Sequence, residues 1–267
     1  MKKLTLGKTG LTVSRYCIGT DYKGDVYPRK GGLLLKKAYE LGINFWDSAD
    51  NYGTHCHLKQ ALKYVPREKI VISTKISSTT RKQAIKDLQK CLEEINTDYI
   101  DIILLHGIDS VSEFKNLSTA LNYLHEAKQQ GLVKAVGLST HSIEMAKHLL
   151  TEPKIEVVLT TVNIKGSNVQ DGTQPQMNAQ LEKLYKAGKG IIAMKVLGGG
   201  SRTTFENPKK AIKYVVDLPL IHSICVGTRD LKQLNFNYKS FNKRNHNTSL
   251  KKYINSEPQV LTRAKRV

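Results

Sequence analysis

The sequence predicts an α/β chain folded as a (β/α)8 TIM barrel, plugged at one end by an N-terminal β-hairpin. Three observations carry this expectation. Short apolar runs alternate with helical patterns at a regular interval, as βα units around a parallel sheet require. Eight such runs follow the opening hairpin. No Gly-x-Gly-x-x-Gly follows any of them, which argues against a doubly wound dinucleotide-binding sheet. Gly198-Gly199-Gly200 comes after the seventh run with no helix opening behind it. A chain of 267 residues is long enough for one such barrel.

Leu4-Thr5-Leu6 and Leu11-Thr12-Val13-Ser14, joined by Gly7-Lys8-Thr9-Gly10, read as the hairpin. The strand candidates are the short, largely apolar runs 16–19, 44–47, 70–74, 100–105, 135–138, 157–161, 190–194 and 223–226. After the third, Thr80 and Gln83 form a capping box, and Ile85, Leu88, Leu92 and Ile95 repeat at helical spacing. After the sixth, Pro175 opens a helix with Met177, Leu181 and Leu184 on one face, and Gly188 ends it. Before the eighth, Asn207-Pro208 is an N-cap with proline in the first turn. These stripes pack helices onto a barrel wall. Residues 1–242 are expected to form the barrel, and residues 243–267 a short basic tail.

Composition bounds the partners. Lys plus Arg number 42 against 23 Asp plus Glu, a formal charge of +19, which attracts anions. No basic run is interleaved with aromatics as in a nucleic-acid module, so no nucleic-acid partner is expected. No apolar stretch approaches the roughly 18–20 residues that span a bilayer. The N-terminus lacks the apolar core of a signal peptide, so a cytoplasmic protein is expected, with no membrane partner. Cys17, Cys56, Cys91 and Cys225 share no Cys-x-x-Cys spacing and are expected as reduced thiols. His55-Cys56-His57 reads as a polar helix start, since adjacent residues do not face one centre; no metal is expected.

Four side chains carry the chemistry. Asp47, Lys75 and His106 each close an apolar run, and Tyr52 follows Asp47 by five residues. In a parallel barrel the strand ends open on one face, so such residues converge however distant in sequence. A tyrosine holds a proton at neutral pH and releases it to a developing alkoxide. A neighbouring lysine ammonium stabilises the phenolate, an aspartate holds that lysine, and a histidine orients a carbonyl. Such a set suits protonation of a carbonyl oxygen while hydride reaches carbon. Side chains supply no hydride, so a nicotinamide cofactor is implied. A Schiff-base lyase using Lys75 is the rival, disfavoured because Asp47 keeps the amine charged.

The motifs resemble the aldo-keto reductase family. Leu6–Ser14 is similar to its opening hairpin, and residues 45–53, Phe-Trp-Asp-Ser-Ala-Asp-Asn-Tyr-Gly, to its Asp-Thr-Ala-x-x-Tyr-Gly signature. Ser73-Thr74-Lys75 resembles the lysine strand and residues 98–106 the histidine segment. The resemblance implies Tyr52 as proton donor, Lys75 and Asp47 as its tuning pair, and His106 as the residue that positions the carbonyl. For the cofactor it implies Thr20; Ser139 at the carboxamide, followed by Thr140 where the family has asparagine; and Asn163, where glutamine is commoner. Met194, Lys195, Val196 and Leu197 would run beside the nicotinamide and pyrophosphate. Gly227, Thr228, Arg229, Gln233 and Asn237 would hold the phosphates and adenine. NADP is favoured through Arg229 and the positive field, with NAD as the alternative.

Ala193-Met194-Lys195 resembles a bacterial branch that often continues into a ferredoxin-like domain with clustered cysteines. No cysteine follows Cys225, so no iron–sulfur cluster is expected. Asp21, Tyr22, Trp46 and the residues past His106 are candidate walls for a small carbonyl substrate. The family also contains channel-associated members, so a cofactor-binding regulatory subunit with little turnover is the second reading. Substrate identity and oligomeric state are not readable from the sequence.

Overall fold

The computed structural model describes residues 1–199 and 207–242. Within them β1 (Lys3–Thr5) and β2 (Thr12–Ser14) form the antiparallel hairpin, with Leu4 opposite Val13. Eight parallel strands then close into a barrel: β3 (Tyr16–Gly19), β4 (Phe45–Asp47), β5 (Val71–Ile76), β6 (Ile100–Leu105), β7 (Val133–Thr140), β8 (Val157–Thr161), β9 (Gly190–Met194) and β10 (Ser223–Gly227). Consecutive strands pair in order, and β10 closes the circle onto β3. The helices are α1 (Pro28–Glu40), α2 (His55–Ala61), α3 (Arg81–Ile95), α4 (Val111–Lys115), α5 (Ser118–Gln129), α6 (Ile143–His148), α7 (Gln174–Lys186), α8 (Pro208–Val216) and α9 (Leu231–Asn242). The fold class is the one the sequence predicts. Gly200 of the triple glycine and the basic tail at 243–267 lie outside the described residues.

Strand alternation divides the apolar residues into two layers. Cys17, Phe45, Val71, Ile102, Leu104, Ala135, Val157, Leu159 and Ile192 fill the barrel interior, where Leu6 and Val13 of the hairpin plug one end. The intervening residues, such as Ile18, Trp46, Ile72, Ile103 and Val158, pack outward against the helices. Each fully buried aliphatic or aromatic side chain contributes about 1.5–3 kcal/mol of transfer free energy. Half of the expected capping box forms at the start of α3: Thr80 Oγ1 accepts from Gln83 N, while the Gln83 side chain donates to Asp87 Oδ1 instead; Asn96, at φ +63°, ends the helix. Asn207 Oδ1 accepts from Lys210 N at the start of α8, and Pro208 is its first residue.

Two expectations change. β5 runs two residues further than the apolar run 70–74, so Lys75 lies within the strand rather than past it. Trp46 is no pocket wall. Asp47 turns inward, so its neighbour turns outward, and Trp46 is fully buried between β4 and the helices.

Candidate active site

The interior alternation continues to the C-terminal rim of the barrel, and there the apolar layers give way to polar groups. Asp47 stands two residues beyond Phe45, Lys75 four beyond Val71, and His106 two beyond Leu104, so all three inherit the inward direction. The Lys75 ammonium is buried and donates to Asp47 Oδ2 at 2.6 Å and to the Ser48 carbonyl at 2.6 Å. Tyr52 reaches the same place from a tight turn, its N–H donating to Ala49 O. Lys75 Nζ lies 4.9 Å from the Tyr52 ring centroid, and the His106 ring meets Tyr52 edge-on at 5.9 Å. The four residues singled out from the sequence therefore share one site.

Electrostatics assigns their protonation states. Burial depresses Lys75, but the adjoining Asp47 charge and the Tyr52 phenol outweigh it, and its pKa is raised overall; it stays an ammonium. Burial pushes the Tyr52 phenol up to about 12, with Lys75 pulling it down and Asp47 pushing it up. The phenol thus keeps its proton at neutral pH, and the lysine only offsets part of the burial effect. Burial, then the charges of Lys75 and Lys195, lower His106 to about 4. Its imidazole is neutral and can donate one N–H to a carbonyl oxygen.

A hydroxyl cluster fixes the turn that carries Tyr52, and no sequence motif announces it. Thr54 Oγ1 lies 2.9 Å from Thr20 Oγ1 and 2.8 Å from Ser48 Oγ, and Thr20 also donates to the Asp47 carbonyl at 2.9 Å. All three side chains are buried. Asp109, three residues past His106 and so among the candidate walls, serves as a loop tie. It accepts from Thr140 Oγ1, His141 N and Gln170 Nε2, tying the loop after β6 to the end of β7.

The residues proposed for the cofactor fall into two groups. Ser139, Met194, Lys195 and Gly227 line the rim. Ser139 Oγ accepts from Gly107 N and keeps its own proton to give. Among the described residues no carboxylate pairs with Lys195, which holds a left-handed backbone at φ +58° directly after β9. Such a conformation costs a residue with a Cβ of order 1–3 kcal/mol and is found mostly where function requires it. At Gly227 the space a Cβ would fill is open. An ammonium with no carboxylate partner among the described residues and an open backbone suit a diphosphate, so these residues fit a dinucleotide. Arg229 is half-buried and donates to the exposed Asp25 at 2.7 Å, while Gln233 Oε1 accepts from Arg229 N.

The second group is engaged inside the protein. Asn163 accepts from Lys165 N and Ser167 N and donates to Ser167 O, closing its own turn. Asn237 Nδ2 donates to Tyr16 OH, which lies 2.5 Å from Thr228 Oγ1, in a buried cluster. Val196 and Leu197 pack into the layer between barrel and helices, leaving their main chain to the rim. Tyr22 is buried against the His57 ring at 5.0 Å. His55 and His57 point to different partners, Thr74 with Glu94 and the Val26 carbonyl. Two grooves of about 610 and 620 Å³ lie under the hairpin at Gly188 and between α1 and α9; neither includes a residue of the quartet. The site is thus defined by its chemistry rather than by cavity size.

The Aldo/keto reductase family model matches residues 23–252 of the chain. The chain is 26% identical to the L-galactose dehydrogenase of Arabidopsis thaliana over 213 residues, 74% of this chain and 66% of that protein. It is 26% identical to the NADH-specific methylglyoxal reductase of Escherichia coli over 194 residues, 61% of this chain and 60% of that protein. It therefore spans less than two thirds of the length of each of these curated relatives. An aldo-keto reductase of Bacillus halodurans, solved in its holo form, superposes with a TM-score of 0.80 over 95% of both chains at 19% identity, a likeness of fold. With the family match running from the loop after β3 past the end of α9, over Asp47, Tyr52, Lys75 and His106, this chain belongs to the aldo/keto reductase family.

Proposed function

We propose that the protein is an oxidoreductase that reduces aldehyde or ketone carbonyls to alcohols with a reduced nicotinamide dinucleotide. One observation carries the reading: a protonated phenol, a buried ammonium–carboxylate pair and a neutral imidazole converge at one barrel rim. A nicotinamide, when bound, supplies the hydride. The neutral His106 donates an N–H to the carbonyl oxygen and fixes its direction. Tyr52 OH gives its proton to that oxygen as negative charge develops there. Lys75 faces the resulting phenolate and stabilises it, and Asp47 and the Ser48 carbonyl hold Lys75 in place. Charge develops on groups already desolvated and oriented, where such stabilisation is most effective.

For the dinucleotide, Ser139 would meet the carboxamide, the Lys195–Leu197 main chain and Gly227 the diphosphate, and Arg229 the adenosine end. NADP is favoured over NAD because Arg229 can exchange its exposed Asp25 partner for a phosphate, a stronger bidentate match. One relative is named as NADH-specific, so NAD is the alternative. Thr20, Asn163, Thr228, Gln233 and Asn237 support this wall from behind through the contacts described above. Family membership and relatives named as a dehydrogenase and a reductase support the reaction class.

The test is direct. Titration with NADPH and NADH, followed by cofactor oxidation against a panel of aldehydes and dicarbonyls, should give tighter NADPH binding and turnover with at least one carbonyl class. Tight binding with no turnover of any carbonyl would favour the regulatory-subunit reading. No binding of either nucleotide would end both.

A further inference from the structure

Beside the quartet lies a pair of thiols that carbonyl reduction does not use. β3 and β10 are adjacent parallel strands, and Cys17 and Cys225 are direct partners in their register. Neighbouring strands lie about 4.7–4.9 Å apart. That spacing falls inside the Cα–Cα range of about 4.4–6.8 Å that a disulfide accepts without backbone movement. Cys17 is buried in the barrel interior, and Cys225 packs on the same cluster while staying partly exposed. Register partners in a sheet point to the same face, so both thiols stand on the interior side of the barrel. Cys225 Sγ also donates to Asp47 Oδ2 at 3.7 Å, at the foot of the ion pair that holds Lys75. The sulfur occupies room that only a glycine leaves, since a Cβ on Gly19 would stand 3.0 Å from it. The remaining cysteines are on α2 and α3, outside the barrel.

We propose that Cys17 and Cys225 form an oxidisable dithiol site that a hydroperoxide closes to a disulfide. Cys225, the partly exposed thiol, is the point of entry. Its sulfur loses its proton and attacks one peroxide oxygen; the O–O bond breaks, leaving a sulfenic acid on Cys225 and releasing water or an alcohol that carries the proton. The Cys17 sulfur then attacks the Cys225 sulfur, the S–O bond breaks, and the hydroxyl leaves as water with the Cys17 proton. Two thiols give up two electrons, and the peroxide takes them. Burial pushes the Cys17 thiol well above its ordinary pKa, which suits a resolving rather than a first-attacking thiol. The disulfide removes the S–H donor that faces Asp47. On the reading of Asp47 and Lys75 as catalytic, the oxidised protein then turns over more slowly.

The two cysteines lie in different tryptic peptides, 16–23 and 214–229, and Cys56 and Cys91 in two others. The folded protein is treated with hydrogen peroxide, its free thiols are alkylated, and it is digested without reductant. The expected product is peptide 16–23 joined to 214–229, lighter than their sum by the two thiol hydrogens and separated again by dithiothreitol. Cys225→Ser under the same treatment should leave Cys17 fully alkylatable. Cys17 that stays alkylatable in the oxidised wild type, or that joins the Cys56 or Cys91 peptide, would overturn the proposal. Turnover of a carbonyl should fall with the linked fraction and return with dithiothreitol; undiminished turnover in fully linked protein would refute the coupling to Asp47. Absence of turnover in the reduced protein would count against carbonyl reduction and leave the peptide result standing.

Discussion

The division of labour in the site rests on where each proton sits. Burial holds the Tyr52 phenol near 12 and the His106 imidazole near 4, so neither changes state in the physiological range. At saturating cofactor, kcat for carbonyl reduction should therefore be flat from about pH 6 to 10, two pH units inside the window those groups define. A titration near the ordinary histidine value of about 6.5 would show that His106 is not desolvated as described. On the proposed reading Lys75 stabilises the Tyr52 phenolate and Asp47 holds Lys75 in place. Buried pairs return little net stability, while removing one partner strands the other at a cost of about 3–5 kcal/mol. The quartet was legible in the sequence because each strand-borne member closes an apolar run, and alternation then fixes its direction. The same alternation, carried one residue back from Asp47, turns Trp46 outward; reading sequence proximity as spatial proximity made it a pocket wall.

At the scale of elements, the connection from β4 to α2 is the critical one, because Tyr52 is borne on a turn and not on a strand. Thr54, Thr20 and Ser48 clamp that turn to the barrel. Thr54→Val keeps the shape but leaves two buried hydroxyls each short of a partner, at a cost of about 1–3 kcal/mol. For a domain of this size each kcal/mol lowers Tm by about 2–4 °C. The variant should lose that much stability and also turnover, and Thr54→Ser should restore both. A valine variant as stable and active as the wild type would remove the clamp from the account. This cluster could not be read in advance, since lone hydroxyl residues in loops carry no spacing signal. The Asn163 turn and the Asp109 tie were hidden for the same reason: each depends on partners set by the fold.

The whole molecule is a ring, and closure brings together residues that sequence order keeps apart. Register pairing of β3 with β10 joins Cys17 to Cys225 and seats Tyr16 against Thr228 and Asn237. The eight strands and the hairpin were legible because parallel strands buried on both faces read as short apolar runs. The contacts across the closing seam were not, because periodicity says nothing about which strands meet. Three histidines, the buried His55 and His222 and the half-buried His106, give the molecule a common pH response. His106 and His222 are lowered to about 4, and His55 is also lowered, in each case first by burial. Between pH 6.5 and 4 the unfolded chain takes up protons that the folded one refuses, so stability falls as pH falls through that window. Asp50, raised by burial, works the other way near its own range. Tm measured from pH 7 to 4 should therefore decline from about pH 6.5 downward. A constant Tm down to pH 4.5 would mean that these rings are solvated.

The central claim is that Tyr52 delivers the proton, and one comparison tests it most directly: carbonyl reduction by wild type and Tyr52→Phe, each with its NADPH dissociation constant measured on the same preparation. Removal of a positioned acid should lower kcat by about 10²–10⁴-fold while NADPH binding is unchanged. A phenylalanine variant that binds NADPH and reduces the carbonyl at the wild-type rate would contradict the account.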